Sequence, residues 1–441
     1  MQPDMRAFLN TLEQNGRLVR LPRPVNPRAE LAALIFEAQK HHQAVLFEKV
    51  AGSTMPVAAN LVGDRVMLAL ALGVQPNEAV STFLERSRQR IPPMIVDDAP
   101  VQEVVRLGNG VDLRRLPLVI HSEKDAGPYI TAGLVIVKDP QSGIRNVSYN
   151  RMMLRGPDET GIRLMPPQQL GQIYELANAS GHSLEAAVAI GNHPAELIAG
   201  ATTLARGDDE LALAGALRGE PLQLVKCKTV DLEVPGNAEI ILEGEILANM
   251  TTPEGPFGDF MQFYVPIMDN RVFRVKAITH RSAPIYQTMH AGAAEDTTLL
   301  AISREAQIYE AVAAMGADVR EVSLVPTILA GVISIHKRYE GEPKLVMAAA
   351  FGRYAWLKVC VVVDEDVNVL NVDDVWWAIA ARSRLQQGIL HITDAAGLSR
   401  DPFGFHSAKL GVDATIPLNT WKEHERKRAP GQGRVRLEDF M

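Results

Sequence analysis

The ten residues Thr251–Phe260, Thr-Thr-Pro-Glu-Gly-Pro-Phe-Gly-Asp-Phe, set two carboxylates, Glu254 and Asp259, on either side of a Gly-Pro-Phe-Gly insert. That insert cannot continue a helix. Pro256 has a fixed φ and no N–H, and the two glycines permit tight backbone bends. A rigid loop that presents two acids five residues apart suits general acid/base work. Taken alone, the stretch reads better as a surface turn with two solvated acids, because loops are polar by default.

Working outward, Ala238–Ile246 and Val272–Ile278 flank the acids with apolar, β-branched runs, as sheet strands do. Leu134–Val137 and Ile144–Asn150 enclose Asp139–Gly143, a turn-rich segment suited to a hairpin. Glu185–Gly191 and Leu222–Val225 are further strands, and helices are expected at 168–178, after Pro166-Pro167, and at 208–218. The middle third is therefore β-rich.

Both flanks alternate helix and strand. Before residue 100 the pattern gives a helix at Met5–Glu13, strands at Arg17–Leu21 and Val45–Phe47, and a polar helix at Asn77–Arg90. Between them lies a helix at Ala29–Gln39, N-capped by Asn26 with proline next to it. The last third reads as helix Thr297–Met315, strands Val319–Val325, Thr327–Ile335 and Val359–Asp364, and helices Pro343–Ala350 and Val372–Ala381. The expected fold is α/β (α+β).

At 441 residues the chain exceeds one ordinary core, so two or three domains are expected. The formal net charge is −7 and no basic run is present. Lys422–Lys427 is mixed in sign and reads as a solvated helix, so nucleic-acid binding is disfavoured. No membrane span or signal peptide is visible, and the two cysteines, Cys227 and Cys360, sit in apolar runs as reduced packing residues. A cytoplasmic location follows as the expectation.

Three further constellations carry chemistry. Arg151, in Asn-Val-Ser-Tyr-Asn-Arg (146–151), is suited to a bidentate grip on a carboxylate, and equally to a structural salt bridge. Glu210 opens a helix, where the dipole alone accounts for an acid; facing inward, it makes with Asn146 an oxygen pair for Mg²⁺ or Mn²⁺. Lys409 offers a point charge to a phosphate. His290 is open between ligand contact and packing. No GxGxxG, Walker A, GxSxG or CxxC pattern is present.

In order along the chain, VDLRRLP (111–117), DAGPYIT (125–131), KDPQSGIRNVSYNR (138–151), DDELALAGALRG (208–219), VPGNAEIILEGEI (234–246), PEGPFGD (253–259) and AKLGVDAT (408–415) resemble the UbiD family of decarboxylases. The resemblance covers essentially the whole chain. It implies an N-terminal α/β domain (1–110), a central flavin-binding split β-barrel domain (111–297) and a C-terminal α/β domain for oligomerisation (298–441). It also implies a homodimer or dimer-based hexamer.

The implied cofactor is prenylated FMN from a separate flavin prenyltransferase, with Mn²⁺ (or Mg²⁺) and possibly K⁺ at its phosphate. The prenylated ring adds to the unsaturated acid by 1,3-dipolar cycloaddition; the adduct loses CO₂, is protonated and is released. By motif, Arg151 holds substrate and cofactor, Glu254 orients Arg151, and Asp259 donates the proton. Ser148, Tyr149, Asn150, Arg151, Arg163, Leu164, Met165 and Gln168 line the flavin, and Lys409 meets its phosphate. Asn146, Glu210 and Gln169 are the implied metal ligands, with backbone of an Ala199–Thr202 loop at the monovalent ion. Gln169 departs from the family pattern, which often has histidine there.

The residues point the same way. Decarboxylation leaves an electron pair on carbon, and no side chain here provides an electron sink, so a cofactor must carry that step. The expected substrate is an aromatic, heteroaromatic or α,β-unsaturated carboxylic acid, with CO₂ as co-product. A non-aromatic allylic, isoprenoid-type acid is the first alternative. A flavin-binding oxidoreductase or a non-catalytic subunit is the second. His290 and the Asp401–His406 segment are candidates for choosing the substrate.

Overall fold

The computed structural model describes residues 3–324, 327–398, 401, 406–427, 429–431, 434–435 and 440. These fall into two compact units, residues 1–303 and 304–441.

The first unit is built on an antiparallel sheet of nine strands. Eight follow the order Tyr129–Ile130, Met152–Leu154, Glu159–Ile162, Met268–His280, Ile240–Glu254, Leu184–Ile190, Leu134–Lys138 and Arg145–Tyr149, and Val104–Leu107 pairs with the far half of Met268–His280. The expected hairpin at Asp139–Gly143 forms, with Leu134 opposite Tyr149 and Lys138 opposite Arg145. Its apolar face joins one continuous core through Val135, Val188, Leu242 and Phe273, all 0 % exposed.

The two longest strands differ from expectation. Ile240–Glu254 runs eight residues beyond Ile246, and Thr251–Glu254 still pairs with Met268–Arg271 across a register shift. So the first half of the acidic stretch is strand, not loop. Ladder pairing satisfies its backbone groups and carries Glu254 to the strand's last position.

A smaller four-stranded sheet sets Leu18–Leu21, Ala44–Phe47 and Val57–Ala59 beside Tyr286–Gln287. Asn26 does not cap the helix that follows it. Its side chain accepts from Arg28 N at 2.8 Å and closes a turn, and the helix begins only at Leu31. Between Pro76 and Ser87 the chain makes a 3-10 turn, Pro76–Glu78, and then the helix Ala79–Ser87. Helix Glu210–Arg218 has conventional ends: the Asp209 side chain accepts from Leu211 N, and Gly219 takes the left-handed C-cap at φ 77°. The helix Pro194–Ala201, capped by the His193 ring, was not anticipated.

The second unit is a five-stranded sheet in the order Asp318–Ser323, Ala330–His336, Val359–Asp364, His406–Ala414 and Ile389–Ala396. Its three middle strands are parallel, and Glu342–Arg353 and Val372–Arg382 pack on it. Val361, Val363, Val412 and Ala378 form its core. Of the Lys422–Lys427 run, only the first two residues are ordered as a 3-10 turn, Leu418–Glu423. Cys227 and Cys360 are free thiols, and burial pushes Cys360 up to about 12. No helix among the described residues is long and apolar enough to cross a membrane.

Candidate active site

The site begins where Arg145–Tyr149 ends. Asn150, buried, turns the chain, and its Nδ2 donates to Arg163 O at 2.8 Å while its Oδ1 accepts from Ser148 Oγ at 3.0 Å. Arg163 N in turn donates to Arg151 O at 3.2 Å. These bonds fix the backbone from which Arg151 projects.

The Arg151 guanidinium forks onto Glu254, with Nε to Oε1 and Nη2 to Oε2 both at 2.9 Å. The Phe257 ring lies 4.6 Å from the guanidinium carbon, a cation–π contact that also excludes water. Glu254 is 1 % exposed. Its Oε2 also accepts from Asn270 Nδ2, and Arg163 Nη1 donates to Asn270 Oδ1 at 3.0 Å. The Tyr129 ring packs 4.6 Å from Phe257, and burial followed by the Glu254 charge drives its phenol up, keeping it neutral. A methyl on Gly161 would lie 3.1 Å from Thr252 Cγ2 and 3.6 Å from Glu254 Cβ, so glycine leaves room for the acid.

Asp259, 5 % exposed, opens the five-residue connection between Phe257–Gly258 and Tyr264–Val265. Its N–H donates to Phe263 O at 3.0 Å, and its Oδ1 accepts from Met261 N at 3.1 Å. Gly292, at φ 77°, presses against the Asp259 and Phe260 carbonyls, where a Cβ would come within 3.1 Å. Asp125 anchors the same hairpin by accepting from Gly258 N at 2.8 Å and Ser122 N at 2.9 Å. Nearby, the His121 and His290 rings meet edge-on with centroids 5.7 Å apart. Burial holds both neutral, with His290 pushed down to about 4.

A second corner gathers Asn146, Gln169 and Glu210. Asn146 Nδ2 lies 3.2 Å from both Gln169 Oε1 and Glu210 Oε1, and Asn146 Oδ1 is buried with no partner. The assignment of N and O within an amide follows from its surroundings. Reversed, this amide sets its oxygen 3.2 Å from each of the other two, close to the edge of an octahedron around Mg²⁺, roughly 3 Å for bonds of about 2.1 Å. The donor set is all oxygen and carries one charge, so these residues fit a hard dication. Burial, above all, raises the Glu210 carboxyl to about 7, against the pull of its bond from Val147 N. Gln169 is fixed by its own Nε2 donating to Leu204 O at 2.7 Å, whereas Gln168 is exposed at the helix N-cap.

Among the other expected residues, Tyr149 is half-buried against Gly200, with its hydroxyl enclosed, and Leu164 packs partly against the core. Met165 O accepts from Gln168 N. Ala199–Thr202 is not a loop. It is the last turn of Pro194–Ala201, and Thr202 Oγ1 bonds back to Ile198 O at 2.8 Å. Lys409 belongs to the second unit, where its ammonium donates to Ala355 O. Within Asp401–His406, residues 402–405 lie outside the described residues.

Asn270, Tyr129, Phe257 and Asp125 join the site without having been singled out. Only the last three carried a signal, inside the DAGPYIT and PEGPFGD runs.

The first unit thus carries an arginine locked to a buried glutamate, a second buried acid on the hairpin that follows, and a corner of three oxygen-bearing side chains. Comparison with known proteins gives the family. The 3-octaprenyl-4-hydroxybenzoate carboxy-lyase N-terminal domain matches residues 9–87, the Rift-related domain 94–294 and the C-terminal domain 297–414. The chain belongs to the UbiD family of carboxy-lyases.

Its relatives include the anhydromevalonate phosphate decarboxylase of Methanosarcina mazei, 36 % identical over 96 % of this chain and 99 % of that protein. The enzyme of the same name from Methanothermobacter thermautotrophicus is 34 % identical over 96 % and 99 %. Among solved structures, the UbiD-class enzyme HmfF from Pelotomaculum thermopropionicum in complex with FMN superimposes with a TM-score of 0.95. It is 39 % identical, and all of both chains is covered. The apo 3,4-dihydroxybenzoic acid decarboxylase of Enterobacter cloacae gives 0.91 at 26 % identity over 98 % of each chain.

Proposed function

We propose that this protein decarboxylates an aromatic, heteroaromatic or α,β-unsaturated carboxylic acid with prenylated FMN as cofactor. The carrying observation is the buried, bidentate Arg151–Glu254 pair beneath Phe257, on the strand end from which the chain leads to Asp259. That the similar HmfF is in complex with FMN supports a flavin cofactor for this protein. When bound, the prenylated flavin supplies the electron sink that the side chains lack.

The residues divide the remaining work. Arg151 spends Nε and Nη2 on Glu254, leaving Nη1 to grip the substrate carboxylate. Glu254 fixes the plane of that guanidinium and balances its charge. Once the C–C bond to the carboxyl breaks and CO₂ departs, Asp259 delivers a proton to the carbon that held it. Asn146, Gln169 and Glu210 would hold Mn²⁺ or Mg²⁺, and K⁺ is assigned to the backbone of Ala199–Thr202 at the end of the helix Pro194–Ala201. Ser148, Tyr149, Asn150, Arg163, Leu164, Met165 and Gln168 hold the flavin, and Lys409 is assigned to its phosphate. The active form is a homodimer or a dimer-based hexamer, supplied with cofactor by a flavin prenyltransferase.

Similarity to the two anhydromevalonate phosphate decarboxylases favours a second reading, a non-aromatic allylic acid as substrate. One experiment tests both. The protein is co-expressed with a flavin prenyltransferase, its cofactor is weighed by native mass spectrometry, and aromatic, cinnamate-type and allylic acids are scored for CO₂ release and H/D exchange. Cofactor-loaded protein inert on all of them overturns the decarboxylase reading. Unimpaired turnover by loaded Asp259→Asn overturns the proton-donor assignment.

A further inference from the structure

The hydrogen bonds around Arg151 close into a ring. Arg151 donates to Glu254, Glu254 accepts from Asn270, Asn270 accepts from Arg163, and Arg163 N returns to Arg151 O. Asn270 is 4 % exposed and spends both ends of its amide inside the ring. It sits on Met268–His280 directly opposite Thr252, two residues before Glu254 on the neighbouring strand. An amide can donate to a carboxylate and accept from a guanidinium at once, whatever the pH.

We infer that Asn270 is a positioning residue: it sets the Glu254 carboxylate against Arg151 and couples that pair to Arg163. The inference rests on the reading of Arg151 and Glu254 given above. Without Asn270, Glu254 keeps its charge partner but loses the donor that fixes Oε2, and Arg163 loses an acceptor. Arg151 and Glu254 can then rotate as a pair, and the guanidinium edge meant for substrate swings with them. The charged and titratable groups facing Asn270 are Glu254 and Arg163, with Arg151 and the Tyr129 phenol behind Glu254.

Two variants separate positioning from bulk stability. Asn270→Ala removes both contacts. Asn270→Asp keeps the shape and the acceptor for Arg163 but sets a carboxylate against Glu254, and it regains a donor only when protonated. Crystal structures of the FMN-loaded proteins are compared first; in Asn270→Ala, the Arg151–Glu254 pair is expected to turn together out of its wild-type orientation. Kinetics on the best acid from the panel are expected to show kcat lowered at least tenfold, with KM and flavin content within threefold of wild type. Asn270→Asp is expected to recover turnover, relative to wild type, as pH falls from 8 to 5.

An unmoved Arg151–Glu254 pair, or a pH profile of Asn270→Asp parallel to wild type, overturns the inference. If Asn270→Ala does not fold, the isosteric Asn270→Asp decides by its structure and pH profile. A wild type that turns over no acid overturns the proposed function instead, and the structural comparison still judges Asn270.

Discussion

Glu254 is an ionisable group in a nearly dry setting, and its stability rests on Arg151. Removing one partner of such a pair leaves an uncompensated buried charge, which costs about 3–5 kcal/mol. Arg151→Ala is therefore expected to lower unfolding stability by roughly that amount in urea titrations, besides abolishing CO₂ release. Arg151→Lys keeps the charge but not the fork, so it is expected to fold yet lose most activity. Equal stability of Arg151→Ala and wild type would remove the case for a buried charged pair. Arg151 and Glu254 were legible because each stands in a long, ordered motif. Asn270 was not, since Asp-Asn-Arg in a strand has no local signature and its meaning lies wholly in the cross-strand partner. Glu295 gives a second test at this scale. It is buried, accepts from Asn60 N and Leu61 N at 2.8 Å each, and burial pushes it up to about 7 from 4.5. A carboxyl raised in the folded state contributes stability below its unfolded value and loses it as pH rises towards 7. Over about 2.5 units at 1.36 kcal/mol each, the wild type should weaken by about 3 kcal/mol relative to Glu295→Gln between pH 4.5 and 7. Denaturant midpoints of the two proteins across that range measure it, and parallel curves would refute it.

Elements were legible where local chemistry decides them. The Asp139–Gly143 turn announced its hairpin, and Pro166-Pro167 announced the helix that begins at Gln169. They were illegible where pairing decides them. Nothing local in Leu247–Pro253 marks a strand; the ladder to Met268–Arg271 imposes it across a register shift. Asn26 misled because the side-chain oxygen that caps a helix also closes a turn one step earlier. The helix Gln169–Ala179 matters to the site because it carries Gln169, and it docks through Gly171. A Cβ there would sit 2.3 Å from Met165 O, a backbone atom that cannot swing aside. Gly171→Ala is thus expected to push the helix from the Met165 turn, at a cost of about 1–3 kcal/mol typical of overpacking. Melting temperature should fall, and Mn²⁺ affinity measured by calorimetry should fall with it as Gln169 leaves Asn146 and Glu210. A variant that melts lower but binds Mn²⁺ as wild type would show that Gln169 is no ligand.

Across the whole chain, the least legible feature is what joins segments far apart in sequence. The first unit is closed by its own beginning. Arg6 forks onto Glu239 at 2.7 Å through both nitrogens, Asp4 accepts from Arg281 at 2.8 Å, and Pro3 O accepts from Arg218 at 2.8 Å. Composition showed only a charged, amphipathic start, because no periodicity reveals a partner more than two hundred residues away. Glu239 is 0 % exposed, so it cannot turn to water when Arg6 is lost. Among the described residues it then keeps Ile285 N at 2.9 Å and a looser approach of Arg281 Nε at 3.6 Å. Arg6 is itself 38 % exposed at the side chain, and solvent screening trims the effect below that of a fully buried pair. Arg6→Ala should therefore cost about 1–3 kcal/mol, read as a lower denaturation midpoint of the flavin-bound protein. Glu239→Gln added to Arg6→Ala should recover part of that loss, because a neutral amide needs no cation. If the two losses simply add, the N-terminal segment is held by apolar packing of Met5, Phe8, Leu9 and Leu12, and the ion pair is incidental to it.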